Sequence, residues 1–381
     1  MNAQTSPPAP SPASASQSAP ETSHRAGNVS TAAAAATNAA SLPQVDRTIS
    51  DNSARRGWRG PKWDQKYVPV AATISLFVAM AAFGSVFYNG FFSPQVFLNL
   101  LIDNAFVCIV AVGMTFVILT GGIDLSVGSI IALTTIISAA LVERYHWSPV
   151  AVMPLVLAIG ASFGALMGVL IQRFRLQPFI VTLAGMFLAR GLCYLISIDS
   201  ISIGDESYSH LSQMRIPAFG GASLSIGALI ALAVVAAGIY LAHCTEFGRT
   251  VYAIGGNEQS AMLMGLPVAR TIVLVYTLSG FCSALAGVVF TLYMLSGYGL
   301  HALGLELDAI AAVVIGGTLL SGGVGYVFGT LFGVLILGII QTLISFDGTL
   351  SSWWTRIVIG ALLFIFCLLQ RLFESSQRRL R

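Results

Sequence analysis

One carboxylate, Asp124, lies in the run Gly-Met-Thr-Phe-Val-Ile-Leu-Thr-Gly-Gly-Ile-Asp-Leu-Ser-Val-Gly-Ser at 113–129, between long apolar segments. A charge at membrane depth costs about 3 kcal/mol or more, so chains keep one where it faces a pathway or a partner. The Gly, Ser and Thr neighbours let backbones approach closely or interrupt a helix. Two chemistries fit: handling a polar solute or ion in transit, or capping a helix end. Asn104, Ser126 and Asp308 join Asp124 as candidates for a translocation path. Asp103 sits near one end of its apolar segment, and Arg190 either snorkels to a surface or pairs with a carboxylate. Glu306 and Asp308 stand at the mouth of the eighth apolar segment, where plain solvation also accounts for them.

The remaining reactive side chains argue against catalysis. No Gly-x-Ser-x-Gly elbow, His-Glu-x-x-His pair or paired-acid constellation is present. The His residues, at 24, 146, 210, 243 and 301, are scattered. A Walker A loop needs a lysine after its glycines, and the only lysines, Lys62 and Lys66, lie in no such loop. The chain is therefore read as a non-enzyme that binds no cofactor itself; any ATP would be used by a partner ATPase. No basic cluster interleaved with aromatics suggests nucleic acid.

A second informative stretch is Tyr-Ala-Ile-Gly-Gly-Asn-Glu-Gln-Ser-Ala-Met-Leu-Met-Gly-Leu-Pro at 252–267, inside a loop spanning 244–268. Asn257 is a good N-cap, Glu258 suits the positive end of a helix, and Gly265 with Pro267 supplies the stop. The pattern predicts a helix over 258–264 carrying Ala261, Met262 and Met264. So short a helix is unstable alone and makes sense docked into another protein. Resting on lipid headgroups is the plainer reading, but the helix lacks the Lys or Arg that such a role favours.

The elements that position these residues are membrane helices. Of 381 residues, 56% are hydrophobic and 9% charged, against about 25% charged in soluble domains. At about 20 residues per crossing, the expectation is an all-α polytopic membrane protein with about ten transmembrane helices. Apolar segments fall near 67–89, 96–120, 126–142, 149–171, 179–198, 224–243, 269–295, 309–320, 326–345 and 353–370. The segment at 309–320 is too short to cross comfortably, a mark of broken helices.

Basic residues set the orientation. Arg55, Arg56, Arg59, Lys62, Lys66, Arg173, Arg175, Arg249, Arg270, Arg371, Arg378, Arg379 and Arg381 all fall on one side if the spans number ten. Both termini are then cytoplasmic. Residues 160–171 echo 325–336, each with Gly at i, i+4 and i+8. In spans four and nine these would run in opposite directions, which suggests two five-helix halves in inverted repeat.

Residues 1–60, rich in Ala, Ser, Pro and Thr, read as a disordered tail. The transmembrane body spans 61–375, and 376–381 reads as a basic C-terminal tail. Cys108, Cys193, Cys244, Cys282 and Cys367 show no CxxC or zinc spacing and read as small buried hydrophobes.

Three runs together resemble the inner-membrane permeases of bacterial ABC importers for monosaccharides, the ribose/xylose/arabinose/galactoside group. They are 111–129, 252–261 and Glu-Leu-Asp-Ala-Ile-Ala-Ala-Val-Val-Ile-Gly-Gly-Thr-Leu-Leu-Ser-Gly-Gly-Val-Gly at 306–325. The likeness covers about 65–375. Asp-Gly-Thr-Leu-Ser-Ser-Trp-Trp-Thr (347–355) and Leu-Ile-Asp-Asn-Ala-Phe (101–106) look most like the galactofuranose permease. The resemblance implies a multi-pass protein of the bacterial inner membrane, surrounded by lipid. It also implies a periplasmic sugar-binding protein, a cytoplasmic ATPase and a second permease subunit, identical or not. Asn257, Glu258, Ala261 and Gly265 then correspond to the ATPase coupling contact. The competing expectation is a secondary ion-coupled transporter using Asp124, and a passive channel is a third.

Overall fold

Apolar sequence without interruption gives helix, and the described residues form mostly helices joined by short connections. The computed structural model describes residues 68–217, 221–349, 351 and 353–379. The chain divides into residues 1–60 and 61–381, and all described residues belong to the second part. The tail at 1–60, the basic residues at 55–66 and Arg381 lie outside the described residues.

The helices are α1 (Val68–Phe87), α2 (Pro94–Asp103), α3 (Ala105–Leu119), α4 (Val127–Ala139), α5 (Pro149–Phe174), α6 (Pro178–Ile196) and α7 (Glu206–Gln213). They continue as α8 (Ile226–Cys244), α9 (Glu246–Gly256), α10 (Glu258–Leu263), α11 (Val268–Met294), α12 (Leu305–Ile315), α13 (Val327–Asp347) and α14 (Trp353–Arg379). A π-helical turn, Ala140–Arg144, prolongs α4. The described residues also form two small antiparallel pairs: β1 (Ile201–Ser202) with β4 (Ser296–Gly297), and β2 (Arg215–Pro217) with β3 (Ser223–Ser225).

Among the described residues, eight helices are long and apolar enough to cross a bilayer, or nine if α2 and α3 make one bent span. The protein is an all-α polytopic membrane protein. Two expectations change in detail. The segment at 96–120 is not one straight span; it breaks at Asn104, where α2 and α3 meet at 57°. The segment expected at 309–320 is α12, which starts and stops earlier and, at 11 residues, is too short to cross by itself.

The core lies around α3 and α11. All of α3 except Phe106 is buried, as expected of a helix apolar all round. Helix α11 packs on α5, α3 and α4, while α13 packs on α12, α1 and α3. Small residues make the closest of these contacts. A Cβ on Gly164 would collide with the Tyr276 carbonyl, and one on Gly280 with the Gly160 carbonyl. Gly329 and Gly333 bring α13 equally close to the carbonyls of Gly316 and Ala312. The two glycine stripes thus share a packing solution but face different neighbours, α11 in one case and α12 in the other.

Cys108, Cys193 and Cys282 are buried, as expected, but Cys244 is exposed. It is the last residue of α8, where the chain leaves the apolar layer.

Candidate functional site

Between α3 and α4 the backbone leaves helix for residues 120–126, and Asp124 holds this break together. Its Oδ1 accepts from the Ser126 backbone N–H at 2.9 Å and from Ser126 Oγ at 2.6 Å. Its Oδ2 accepts from Ser279 Oγ of α11 at 2.7 Å. Asp124, Ser126 and Ser279 are all buried. Nearby, Thr182 of α6 donates to the Ile123 carbonyl at 3.2 Å. The Tyr276 hydroxyl is buried without a hydrogen-bond partner among the described residues and lies against Gly122. In this conformation the carboxylate is enclosed, and its bonds tie the loop to α11.

Asn104 sits at the other break. Its Nδ2 donates to the Leu100 carbonyl at 2.9 Å, and its own carbonyl receives the Cys108 N–H. Gly338 of α13 approaches so closely that a Cβ there would lie 2.7 Å from Asn104 Nδ2. The break is thus held by a polar side chain without a proline. Asn104 and Asp124 stand at opposite ends of α3, so the four translocation-path candidates do not form one cluster.

Asp308 is half-buried in the first turn of α12. Its neighbour Glu306 is not solvated as expected; it is buried against α4, beside Gly128, and its Oε2 has no hydrogen-bond partner among the described residues. Arg190 does not snorkel, and among the described residues it makes no carboxylate ion pair within 4.0 Å: its Nη1 donates to the carbonyls of Gly299 (2.6 Å) and His301 (2.7 Å). It fastens the segment between α11 and α12, where Leu295 and Ala302 both have positive φ. Among the described residues no group of three or more His, Cys, Asp or Glu is placed to hold a metal.

The stretch at 244–268 folds as two short helices. Thr245 caps α9 by accepting from the Gly248 N–H at 3.1 Å, and Asn257 Oδ1 caps α10 by accepting from the Ser260 N–H at 2.8 Å. Helix α10 ends one residue sooner than expected, and Gly265, at φ +77, makes the turn that follows. Ala261 points inward, fully buried in a cluster with Ile254 and Val268. Glu258 is exposed, and the outward apolar surface consists of Met262, Leu263 and Met264, with Leu263 90% exposed. Leu263 lies about 200° around the helix from Ala261, so helical geometry alone could have singled it out.

Helix α9 joins α10 to the loops that follow α3 and α12. The Tyr252 hydroxyl donates to the Gly325 carbonyl at 2.7 Å, and burial pushes this phenol up to about 12. A Cβ on Gly255 would overlap the Leu119 carbonyl and the Gly323 N–H, themselves hydrogen bonded at 2.9 Å. The loops after α3 and after α12 therefore meet under α9. Sequence reasoning missed this contact because its partners are far apart in the chain.

Comparison with known proteins follows the same lines. The family described as branched-chain amino acid transport system / permease component matches residues 96–367. An inner membrane ABC transporter permease protein, YjfF, of Escherichia coli (strain K12) is 54% identical over 82% of this chain and 96% of its own. The fructose import permease protein FruG of Bifidobacterium longum is 41% identical, over 85% of this chain and 96% of its own. The ribose import permease protein RbsC of Bacillus subtilis is 42% identical, over 75% and 88%. No solved structure matches.

Proposed function

The chain belongs to the family of branched-chain amino acid transport system / permease components, and we propose that the sugar it passes is galactofuranose. It is a permease subunit of an ATP-driven sugar importer, a non-catalytic, multi-pass protein of the bacterial inner membrane. Its class implies an ATPase subunit and a sugar-binding protein as partners. The family does not favour the secondary ion-coupled transporter.

Two short runs, 347–355 and 101–106, support galactofuranose through their likeness to permeases for that sugar. If α12 with its flanking segments makes a tenth crossing beside the nine candidate spans, the basic residues fall on one side, in two inverted halves with both termini and α10 cytoplasmic. ATP is then used by the partner, and this chain holds no cofactor.

The observation that carries the coupling mechanism is the two-sidedness of α10. Ala261 anchors it to α9 and α11, while Met262, Leu263 and Met264 face outward. An apolar tip on an anchored helix fits a groove in the ATPase. Glu258 adds a charge at its rim, and Gly265 lets the chain turn back. Closure of the ATPase dimer would push α10, and α9 would pass that push to the loops after α3 and α12. Asp124 and Ser126, at the first of these loops, would shift with α11 as the permease passes between outward- and inward-open states. A second permease subunit, identical or not, would complete the conduit.

The test is uptake of labelled galactofuranose and of a pentose and hexose panel into vesicles, with ATPase and binding protein added or omitted. Galactofuranose uptake that needs ATP and both partners supports the reading. Uptake of another sugar alone would replace galactofuranose. Uptake by this chain alone that collapses with the proton gradient would reverse the reading.

A further inference from the structure

A cavity of about 490 Å³ opens where α2 breaks into α3, roofed by the end of α7 and the β2–β3 pair. Its walls include Phe106 of α3, Tyr293 of α11, Gln213, Arg215 and Gly227. Its size falls within the usual range for small-molecule sites, and discontinuous helices are where transporters commonly place them.

The wall chemistry is mixed in a specific way. Phe106 is backed by Phe290 at 4.9 Å and 90°, and Tyr293 stands beside it at 6.3 Å. The Tyr293 hydroxyl donates to Asp103 Oδ1 at 3.3 Å. Arg215 lies near enough to Asp103 for their charges to interact. Register in the hairpin pairs Arg215 with Ser225, the N-cap of α8, and both residues line the cavity. Neither Arg215 nor Gln213 spends its side-chain donors on a hydrogen bond among the described residues. Two aromatic faces beside free donors and a carboxylate suit a molecule with apolar C–H faces and a rim of hydroxyls.

Position supplies the second argument. Tyr293 is at the far end of α11 from Val268, which packs against α10. With 1.5 Å of rise per residue, about 38 Å separates the two ends. The cavity therefore opens on the face opposite the coupling helix, where sugar would arrive.

We propose that this cavity is the entry site at which the permease first holds its sugar. Phe106 and Tyr293 supply the stacking faces, Arg215 and Gln213 read the hydroxyls, and Asp103 holds the Tyr293 hydroxyl from outside the lining. The inference rests on the sugar-importer reading and adds a selecting step in the permease itself.

The test uses the whole importer in proteoliposomes, with its binding protein at saturation so that capture from solution no longer limits the rate. Labelled galactofuranose, galactose, ribose, fructose and arabinose are the probes, and the variants are Phe106→Ala and Arg215→Gln. Each variant complex must purify intact with its ATPase; Phe106→Leu and Arg215→Lys replace any that does not. The expected result is turnover lowered about fivefold or more, with the ratio between sugars shifted about threefold. Unchanged turnover, equal loss for every sugar, or loss traced to weaker docking of the binding protein would overturn the entry site while leaving the importer intact. No ATP-dependent uptake of any of these sugars by the wild-type importer would overturn both.

Discussion

Ser279 Oγ donates to Asp124 Oδ2 at 2.7 Å across 155 positions of sequence, joining the loop after α3 to the middle of α11. With the two bonds from Ser126, the carboxylate satisfies three donors in a site closed to solvent. Asp124→Ala would strand those donors at about 1–3 kcal/mol each. Folded yield in detergent and uptake should fall together. Ser279→Ala leaves Oδ2 without its donor and should cost about 1–3 kcal/mol, less than Asp124→Ala, with most transport retained in the folded fraction. Uptake lost at full folded yield in Asp124→Ala would make the carboxylate a working part of the path.

Gly255 and Gly256 are adjacent, yet they should respond in opposite ways to one added methyl. A Cβ on Gly255 overlaps the Leu119 carbonyl, whereas Gly256 has nothing within 4 Å. Gly255→Ala should destabilise by about 1–3 kcal/mol through overpacking. Gly256→Ala should be neutral or gain up to about 1 kcal/mol in helix propensity. Thermal unfolding of both variants in detergent reads the difference.

Leu263 and Ala261 separate docking from folding at the coupling helix. Leu263→Asp changes an exposed tip and should weaken ATPase association at least tenfold, with folded yield kept; an interface anchor is worth about 2 kcal/mol. Ala261→Trp places a large ring in the Ile254–Val268 cluster and should dislodge α10 itself. Pull-down of the ATPase, set against folded yield, distinguishes the two.

Cys244 offers a sidedness test once Cys367 is changed to Ser. Cys244 is exposed and Cys367 half-buried, while Cys108, Cys193 and Cys282 are buried. A membrane-impermeant maleimide should label Cys244 in inside-out vesicles and leave it unlabelled in right-side-out ones. The opposite pattern would place α10 on the periplasmic face.

Arg190 should govern how firmly the segment before α12 is held. Its Nη1 bonds to two carbonyls, Gly299 and His301, in a stretch where Ala302 has φ 54. Lysine replaces the pre-organised planar guanidinium with a compact, strongly hydrated ammonium on a flexible stem, which would hold both carbonyls less firmly. Arg190→Lys should speed amide exchange over residues 298–304 about tenfold, equivalent to about 1.4 kcal/mol of local stability. Exchange at α5 should not change.

Local chemistry was legible in the chain, and distant pairing was not. The cap at Asn257 and the turn at Gly265 were readable because each depends on a few neighbouring residues. Long apolar runs located the membrane helices because nothing polar competes with them. The break at Asn104 escaped because no Gly or Pro marks it and its packing partner is Gly338. The partner of Asp124 is on α11, and the carbonyls held by Arg190 lie more than a hundred residues away. Helix α7 and the strand pairs escaped because segments of two to eight residues leave little periodicity to read.

Gly160, Gly164 and Gly168 bring the backbone of α5 against that of α11, with Gly280 closing the contact from the other side. Helices that slide do so on a cushion of side chains that can change rotamers. Here that cushion is missing. The pair forms one beam, and a working stroke must bend the molecule elsewhere; the unwound turns at Asn104 and at 120–126 are natural pivots. A single methyl on Gly164 would act as a wedge driven into the beam, jamming the stroke from a position that touches neither nucleotide nor sugar.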